Sequence, residues 1–277
     1  MLLHLHLISD STGETLESIA RACLSQFESV EVVRHFWPMV RSVSQIEKIL
    51  QDVCKKPGLV LFSMVNRDQY KYLKQQCALF NIPAISVLDP VLDMLTQIVG
   101  EKVKGKPGQQ YTMDQLYYKR LDAIKFTITH DDGQALEDLD DADIVLLGVS
   151  RISKTPTSIY LANRGYKTMN VPLVQELGLS EILKDYWGNE RSKPFIVGLL
   201  TSSTRLMQVR KSRILGADEK QSHDYTDIDV IKRELLFAKR IYEEMDWPQL
   251  DTTRKSIEET AAGIIEMQKK NSLLYSD

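Results

Sequence analysis

Residues 143–158 read DIVLLGVSRISKTPTS, and this stretch decides how the second half of the chain folds. The apolar run Ile144–Leu147 is typical of a short buried strand. Residues Thr155–Asn163 have the pattern of a helix, and Gly165 stands where a glycine commonly follows a helix end. The loop between the strand and the helix begins with Gly148. A strand, a short loop and a helix in direct succession predict one unit of an α/β fold.

The spacing inside this loop matches a phosphate-binding template. The template G-x-x-x-x-G-K-S/T lies between a strand and a helix, and here Gly148 is followed, after four residues, by the tripeptide Ser153–Thr155. A loop that enters a helix exposes unpaired backbone N–H groups, and the helix dipole adds partial positive charge at the same place. Together these features form an anion site. The predicted nucleotide-binding residues are Gly148, Val149, Ser150, Arg151, Ile152, Ser153, Lys154 and Thr155.

Three side chains give this segment its expected chemistry. Lys154 can reach phosphate oxygens as a point charge, Thr155 can offer its hydroxyl to a Mg²⁺ ion, and Arg151 can form a bidentate contact with phosphate. Ser153 departs from the template, because a serine disfavours the positive φ that glycine permits. The alternative interpretation, an ordinary strand-to-helix turn with a solvated arginine and lysine, therefore stays open at this point.

The residues on either side extend the alternation of strands and helices. Short apolar runs alternate with amphipathic segments through the first 100 residues, and Gly100–Gln110 (GEKVKGKPGQQ) breaks the pattern as a linker or loop does. We predict an α/β fold class: two α/β domains with mainly parallel sheets, the C-terminal one similar to P-loop kinases. The predicted divisions are an N-terminal α/β domain over 1–100, a linker and connecting helix over 101–137, and a nucleotide-binding domain over 138–277.

Individual elements follow from the same patterns. Three helix starts carry capping-box patterns, at Ser11-x-x-Glu14, Ser42-x-x-Gln45 and Ser256-x-x-Glu259. The predicted strands are Leu2–Ile8, Val30–Trp37, Leu59–Met64, Ile82–Leu88, Ile144–Leu147, Lys167–Val171 and Phe195–Leu200. The predicted helices are Glu14–Phe27, Val43–Cys54, Asp68–Phe80, Asp89–Val99, Met113–Ile124, Thr155–Asn163, Ser203–Leu215, Ile228–Met245 and Ile257–Lys269.

Composition limits the class of protein. The 277 residues carry 35 basic and 38 acidic side chains, a net charge of −3, so we expect neither a nucleic-acid nor a membrane partner. No apolar run approaches the roughly 20 residues that a membrane span needs. Cys23, Cys54 and Cys77 form no C-x-x-C pair, so neither a disulfide framework nor a zinc site is predicted. The N-terminus lacks the basic region that begins a signal peptide. We therefore expect a cytoplasmic protein.

Four segments together resemble one protein family. Residues 148–174 (GVSRISKTPTSIYLANRGYKTMNVPLV) are similar to the nucleotide-binding segment of the bacterial pyruvate, phosphate dikinase regulatory proteins, whose close relatives regulate phosphoenolpyruvate synthase. Residues 9–20 (SDSTGETLESIA), His130–Gly133 (HDDG) and residues 247–264 (WPQLDTTRKSIEETAAGI) match the same family. The resemblance covers essentially the whole chain.

This resemblance implies a bifunctional enzyme. In one direction, such an enzyme transfers the β-phosphate of ADP to a threonine of the dikinase and so inactivates it. The dikinase is modified when its catalytic histidine is already phosphorylated. In the other direction, inorganic phosphate accepts that phosphate and diphosphate is released. By the same resemblance, Gly148–Thr155 is the ADP-binding loop, and the family tolerates a residue other than glycine at the Ser153 position. We expect Mg²⁺ as a cofactor.

Phosphoryl transfer to a hydroxyl requires a base or an orienting carboxylate. Asp131 and Asp132 are candidates, because they lie in a glycine-terminated turn just before the loop. With Lys154 they form the predicted catalytic set. A solvated acidic turn is the alternative interpretation of both aspartates, and His130 is either catalytic or part of this turn.

Three arginines of one predicted helix form a candidate phosphate lid. They are Arg205, Arg210 and Arg213, and the last two are surface neighbours on the helix because they are three residues apart. A solvated basic face is the alternative interpretation.

A possible second anion site follows the first strand. Ser11, Thr12 and Gly13 lie between that strand and a helix, where they could hold a substrate phosphate or contact the partner. Helix capping alone also explains these residue types.

The expected partner is pyruvate, phosphate dikinase, and three other functions stay open. They are the same chemistry on phosphoenolpyruvate synthase, a P-loop kinase of small molecules, and a nucleotide-sensing module without catalysis. The sequence does not give the oligomeric state, although the homodimer is the commonest symmetric assembly.

Overall fold

The computed structural model describes residues 2–109, 113, 115–173, 194–213 and 225–274 of the 277-residue chain. The chain divides into two compact units, residues 1–112 and 113–277. Within the described residues, each unit forms one four-stranded sheet whose paired strands run parallel.

The first unit has the strand order β2-β1-β3-β4. Its elements are β1 (Leu2–Ser9), α1 (Glu14–Leu24), β2 (Glu31–Trp37), α2 (Val43–Lys55), β3 (Gly58–Ser63), α3 (Arg67–Leu79), β4 (Ala84–Ser86) and α4 (Asp89–Val99). Leu5 and Leu7 of β1 pack in one apolar cluster with Leu16 of α1, whereas Ile8 packs in another with residues of α2 and α3. Because alternate residues of a strand point to opposite faces, helices cover both faces of this sheet.

The second unit has the strand order β6-β5-β7-β8. Its elements are α5 (Gln115–Thr129), β5 (Ile144–Gly148), α6 (Lys154–Ala162), β6 (Thr168–Pro172), β7 (Phe195–Leu200), α7 (Ser203–Arg213), α8 (Ile228–Glu244), β8 (Gln249–Asp251) and α9 (Ile257–Leu274). Two short 3-10 turns, Asp131–Gly133 and Leu136–Asp141, precede β5. Every residue of β5 is buried, as expected for the central strand of a parallel sheet with helices on both faces. Helix α5 packs within this unit, against α6 and β6.

The α/β class with parallel sheets that we predict from the sequence is confirmed. The capping boxes predicted at Ser42 and Ser256 form, with Gln45 and Glu259 as their partners. The box predicted at Ser11 is wrong, because α1 begins after Gly13, whose φ of 84° and lack of a side chain leave no cap of that kind.

Two further differences concern the strands. The short edge strand β8 is absent from the predicted strands, and β4 is shorter than the predicted Ile82–Leu88. The predicted end of α7 at Leu215 lies outside the described residues. Of the helices that the structure describes, none is both long and apolar enough to cross a bilayer.

Candidate phosphate-binding site

The phosphate-binding template lies where the strand order of the second sheet reverses. The chain leaves β5, forms α6 and returns as β6 on one side of β5, whereas β7 lies on the other side. In parallel α/β sheets, ligands bind in the crevice outside the carboxyl ends of the strands at such a point. Residues 149–153 leave β5 there and lead directly into α6. The fold therefore places the predicted segment where this class of sheet binds its ligands.

Gly148, the last residue of β5, lets the loop fold back against the sheet. A Cβ atom here would lie 2.8 Å from Ile152 Cγ2 and 3.4 Å from the carbonyl oxygen of Leu199. The first distance is well inside the normal separation of two carbon atoms. A larger residue would push Ile152 out of its buried position. Glycine is therefore required here because a side chain has no room.

Arg151 and Ser153 both adopt left-handed backbone conformations, each with a φ of 70°. Ser153 is the residue immediately before α6, and its ψ is 24°. A residue with a Cβ atom in this conformation costs about 1–2 kcal/mol. The serine nevertheless follows the backbone path that we predict for glycine, so the departure from the template does not change the course of the loop.

The loop and the first turn of α6 contain several backbone N–H groups that have no backbone partner among the described residues. Within the part of the chain that the structure describes, no backbone carbonyl accepts a hydrogen bond from Ser150, Arg151, Ser153, Lys154 or Thr155. Segments that contain left-handed residues commonly form concave anion sites from successive N–H groups. These donors and the dipole of α6 provide the electrostatic basis for binding an anion.

The Lys154 side chain lies inside the loop. Only 5% of the residue is exposed, and its Nζ donates hydrogen bonds of 2.9 Å to the carbonyl oxygens of Gly148 and Val149. Burial lowers the pKa of this ammonium to about 8, although the carboxylates of Asp132 and Asp131 act in the opposite direction. The loop therefore encloses a cation that is poorly solvated and that an added anion would stabilise.

Thr155, Asp131 and Asn170 form a hydrogen-bonded group at the start of α6. Thr155 Oγ1 donates to Asp131 Oδ1 at 3.2 Å. Asn170 Nδ2 donates to the same carboxylate oxygen in a short hydrogen bond, and to Thr155 Oγ1 at 3.0 Å. The structure thus brings together two residues that the sequence predicts separately, the threonine predicted to bind Mg²⁺ and one candidate catalytic aspartate.

The turn that carries the two aspartates is fixed by His130. The ring of His130 is buried and stacked on Phe126, its Nδ1 contacts the Phe126 carbonyl oxygen at 2.7 Å, and its Nε2 contacts Asp138 Oδ2 at 3.0 Å. Because both ring nitrogens contact protein oxygens, these contacts favour the structural interpretation of His130. Asp132 is exposed and has a φ of 52°, while Asp131 is partly buried.

The arginines of α7 do not share one environment. Arg210 is 1% exposed, donates to both carboxylate oxygens of Glu234, and also donates to the Ser150 carbonyl oxygen at 3.2 Å. The surface position that we predict for Arg210 is therefore wrong, because Glu234 balances its charge inside the unit. Arg205 is exposed, and the side chain of Arg213 lies outside the described residues.

A pocket lies beside the loop, at the carboxyl ends of β5, β7 and β8. Three cationic side chains line it: Arg151 from the loop, Arg205 from α7 and Lys255 before α9. The hydroxyl groups that line it belong to Ser153, Thr201, Thr252, Ser256 and Thr260. Lys154 is not part of this lining. The cations and hydroxyls of the pocket suit an anionic or phosphorylated ligand.

The predicted second anion site belongs to the first unit. Ser11 and Gly13 line a pocket at the carboxyl ends of β1 and β3, together with the buried carboxylate of Asp10. Asp10 Oδ2 accepts hydrogen bonds from the N–H groups of Val65 and Asn66, and burial raises its pKa. Thr12 is exposed. The anion-binding role of Ser11, Thr12 and Gly13 stays a prediction.

Comparison with known proteins identifies the family. The model of the kinase/pyrophosphorylase family matches residues 5–265. The chain belongs to this family. A protein of Rhizorhabdus wittichii named pyruvate, phosphate dikinase regulatory protein is 51% identical over 98% of this chain and 97% of its own length. A protein of the same name from Novosphingobium aromaticivorans is 48% identical over 98% of this chain and 95% of its own length. Another from Erythrobacter litoralis is 49% identical over 97% of this chain and 95% of its own length. The family resemblance seen in the sequence is confirmed.

Two parts of this candidate site could not be predicted from the sequence. Asn170 lies in a strand, 15 residues beyond Thr155, and nothing in its spacing links it to the loop. Lys255 lies beside the predicted capping box at Ser256, which explains the local sequence without reference to a pocket. In the region that the structure describes, no group of three or more His, Cys, Asp or Glu side chains is arranged to hold a metal ion.

Replacing Ser153 by glycine should stabilise the protein by about 1 kcal/mol. Glycine removes the cost of a left-handed residue with a Cβ atom, and its greater freedom in the unfolded chain offsets part of that gain. Urea denaturation of the wild type and Ser153→Gly measures the difference. Ser212→Gly is the matched control, because Ser212 is exposed within α7 and the same change should cost about 0.5 kcal/mol there. Equal destabilisation by both changes would contradict the loop conformation.

The burial of Lys154 predicts a pH-dependent stability. The folded-state pKa of about 8 lies below the 10.5 of an unperturbed lysine, so the unfolded chain binds more protons between these values. The free energy of unfolding contributed by Lys154 therefore rises with pH in this window, and the cost of its burial is largest below pH 8. Between pH 8 and pH 10, the free energy of unfolding of the wild type should therefore rise by about 2 kcal/mol relative to that of Lys154→Met.

Denaturation at pH 8, 9 and 10 measures this difference. Lys239→Met is the control, because Lys239 is exposed on α8. The free energy of unfolding of this variant should differ from that of the wild type by an amount that does not rise with pH in this window. A pH-independent difference between the wild type and Lys154→Met would show that the ammonium is not buried.

Proposed function

We propose that this chain is a bifunctional serine/threonine kinase and phosphorylase that regulates pyruvate, phosphate dikinase. As a kinase it transfers the β-phosphate of ADP to a threonine hydroxyl of the dikinase, which releases AMP and inactivates the dikinase. As a phosphorylase it transfers that phosphate from the threonine to inorganic phosphate, which releases diphosphate. Membership of the kinase/pyrophosphorylase family and the names of the relatives support this proposal.

The observation that carries the proposal is the loop itself. Backbone N–H groups that have no backbone acceptor among the described residues lie together with a buried ammonium at the carboxyl end of β5, at the N-terminus of α6. Phosphoryl transfer depends mainly on positioning and on neutralising charge, with little covalent work for the protein. A site with fixed donors and an enclosed cation supplies both requirements for the diphosphate group of ADP.

Lys154 changes partners when the nucleotide binds. Its Nζ exchanges the carbonyl oxygens of Gly148 and Val149 for phosphate oxygens, which carry more negative charge than a carbonyl. Nearby anionic oxygens favour the charged form of a buried lysine. The ammonium is therefore fully protonated in the complex and balances the charge that develops on the transferred group.

Thr155 and Asp131 suit a bound Mg²⁺ ion. They offer a hydroxyl and a carboxylate oxygen 3.2 Å apart, and Mg²⁺ is commonly held by one or two carboxylates together with the phosphates of the substrate. When bound, Mg²⁺ neutralises charge on the phosphate oxygens.

The two aspartates have different roles in this proposal. Asp131 Oδ1 accepts hydrogen bonds from Asn170 and Thr155, so this carboxylate orients the start of α6. Asp132 is exposed and is electrostatically coupled to Lys154. We assign to Asp132 the removal of the proton from the threonine hydroxyl, because an exposed carboxylate is accessible to a protein substrate.

The pocket beside the loop holds the rest of the phosphorylated substrate. Arg151, Arg205 and Lys255 line it from three different segments. Guanidinium groups bind phosphate oxygens through paired hydrogen bonds. These cations hold the part of the nucleotide or of the phosphate acceptor that the loop amides leave free.

Transfer of label from ADP to the dikinase tests the proposal. The chain is incubated with ADP labelled in its β-phosphate and with histidine-phosphorylated dikinase, and the label is traced to an amino acid. We expect phosphothreonine on the dikinase and an equal amount of AMP. Lys154→Ala should lower the rate about 10²- to 10³-fold, whereas Lys239→Ala, an exposed lysine of α8, should not change it.

Other outcomes separate the competing functions. Label that appears only on phosphoenolpyruvate synthase assigns the same chemistry to a different partner. Label on a small molecule assigns a small-molecule kinase, and ADP binding without AMP release assigns a nucleotide-sensing module. Full activity of Lys154→Ala would contradict the role of the loop.

A further inference from the structure

We infer that Asn170 is a positioning residue for phosphoryl transfer, an inference that rests on the proposed function. Asn170 is the third residue of β6 and pairs with Leu146 of β5. It holds the Asp131 carboxylate and the Thr155 hydroxyl in one arrangement, and so links the aspartate turn to the first turn of α6. Asn170 itself does not touch the transferred phosphate.

The contacts of Asn170 join three separate segments. Its Nδ2 uses one hydrogen for Asp131 Oδ1 and the other for Thr155 Oγ1, 3.0 Å away. Its backbone N–H donates to the carbonyl oxygen of His130 at 3.2 Å, immediately before Asp131. The side chain and the main chain of one strand residue therefore fix both the position of the aspartate turn and the direction of its carboxylate.

The hydrogen-bond directions within the group are consistent. An amide nitrogen only donates and a carboxylate only accepts, so Thr155 Oγ1 accepts from Asn170 and donates its own proton to Asp131. Asp131 Oδ1 thus receives two donors. Both donors reach the same oxygen, and Asp131 as a whole is only partly buried.

The other end of the amide shows that packing alone does not explain this residue. Asn170 is 1% exposed, and its Oδ1 is buried without a hydrogen-bond partner among the described residues. An unsatisfied buried oxygen is unfavourable, and such groups in native structures call for a specific explanation. The two donors on Nδ2 provide it, because no apolar residue of similar size could hold a carboxylate and a hydroxyl together.

Asparagine also suits the charge at this place. Aspartate has the same shape, but it would set a second carboxylate against Asp131 and would have no donor for it. A serine or alanine would be too short to span both partners. Asn170 therefore fills the buried space and supplies two donors. It adds no negative charge next to the place that we propose for the nucleotide phosphates.

Steady-state kinetics of Asn170→Ala test the inference. Loss of a hydrogen bond to a charged group should lower kcat for ADP-dependent phosphorylation by about 10- to 100-fold. The KM for ADP and the dissociation constant of ADP should change by less than about threefold, because the loop amides and Lys154 hold the nucleotide. Asn163→Ala is the matched control. Asn163 is exposed at the end of α6 and its side chain donates to the Ile159 carbonyl oxygen, so the kcat of this variant should equal that of the wild type.

A double-mutant cycle separates positioning from a purely structural role. If Asn170 acts through Asp131, then Asn170→Ala should cause no further loss of kcat, within about threefold, when Asp131→Asn is already present. A structural role would multiply the two losses, and that result would overturn the inference. Circular dichroism and ADP binding confirm that each variant is folded. If Asn170→Ala does not fold, Asn170→Leu keeps a similar side-chain volume without either donor and takes its place in the same cycle.

The outcomes distinguish this inference from the proposed function. If the wild type transfers no label from ADP, both fail together. If the wild type is active and Asn170→Ala keeps its kcat, or loses kcat and ADP affinity in equal proportion, only the positioning role is refuted. If kcat alone falls and the cycle is non-additive, the inference stands.

Discussion

The site depends on one constraint, the sharp passage from β5 into α6. Gly148 gives the loop room to fold back on Ile152, and left-handed conformations at Arg151 and Ser153 complete the turn. Over the described parts of the chain, this path leaves N–H groups of the loop without backbone acceptors, and it encloses Lys154 among loop carbonyls. The energetic cost of a strained backbone and a poorly solvated ammonium is typical of a functional site, because an ordinary turn would avoid both.

Residues outside the loop hold that passage in place. Arg210, paired with Glu234, donates to the Ser150 carbonyl oxygen and so fixes one side of the loop. Asn170 fixes the other side through Thr155 and Asp131. Both side chains are almost fully buried, so rigid parts of the second unit position a loop whose donors must not move during transfer. The candidate chemistry is thus built on a strand and two helices, with the loop as the contact surface.

Much of the fold followed from the sequence, because periodic apolar patterns and capping residues are local signals. The pattern of strands and helices gave the parallel α/β class, and the template spacing gave the loop at Gly148. Long-range contacts were not accessible in this way. The charge of Arg210 is balanced by Glu234, 24 residues away, and the three-residue strand β8 has too few residues to show a pattern. At Ser11, the capping signal was outweighed by the glycine that follows, whose left-handed conformation sets the start of α1.

Titration of ¹⁵N-labelled protein with ADP tests the central claim, that the N–H groups between β5 and α6 bind phosphate. If these groups bind phosphate, the amide resonances of residues 150–155 should show the largest saturable shifts. Adenosine, which lacks phosphates, should leave them unchanged. Saturable binding of ADP with shifts confined to residues 1–112, or equal shifts with adenosine, would contradict the account.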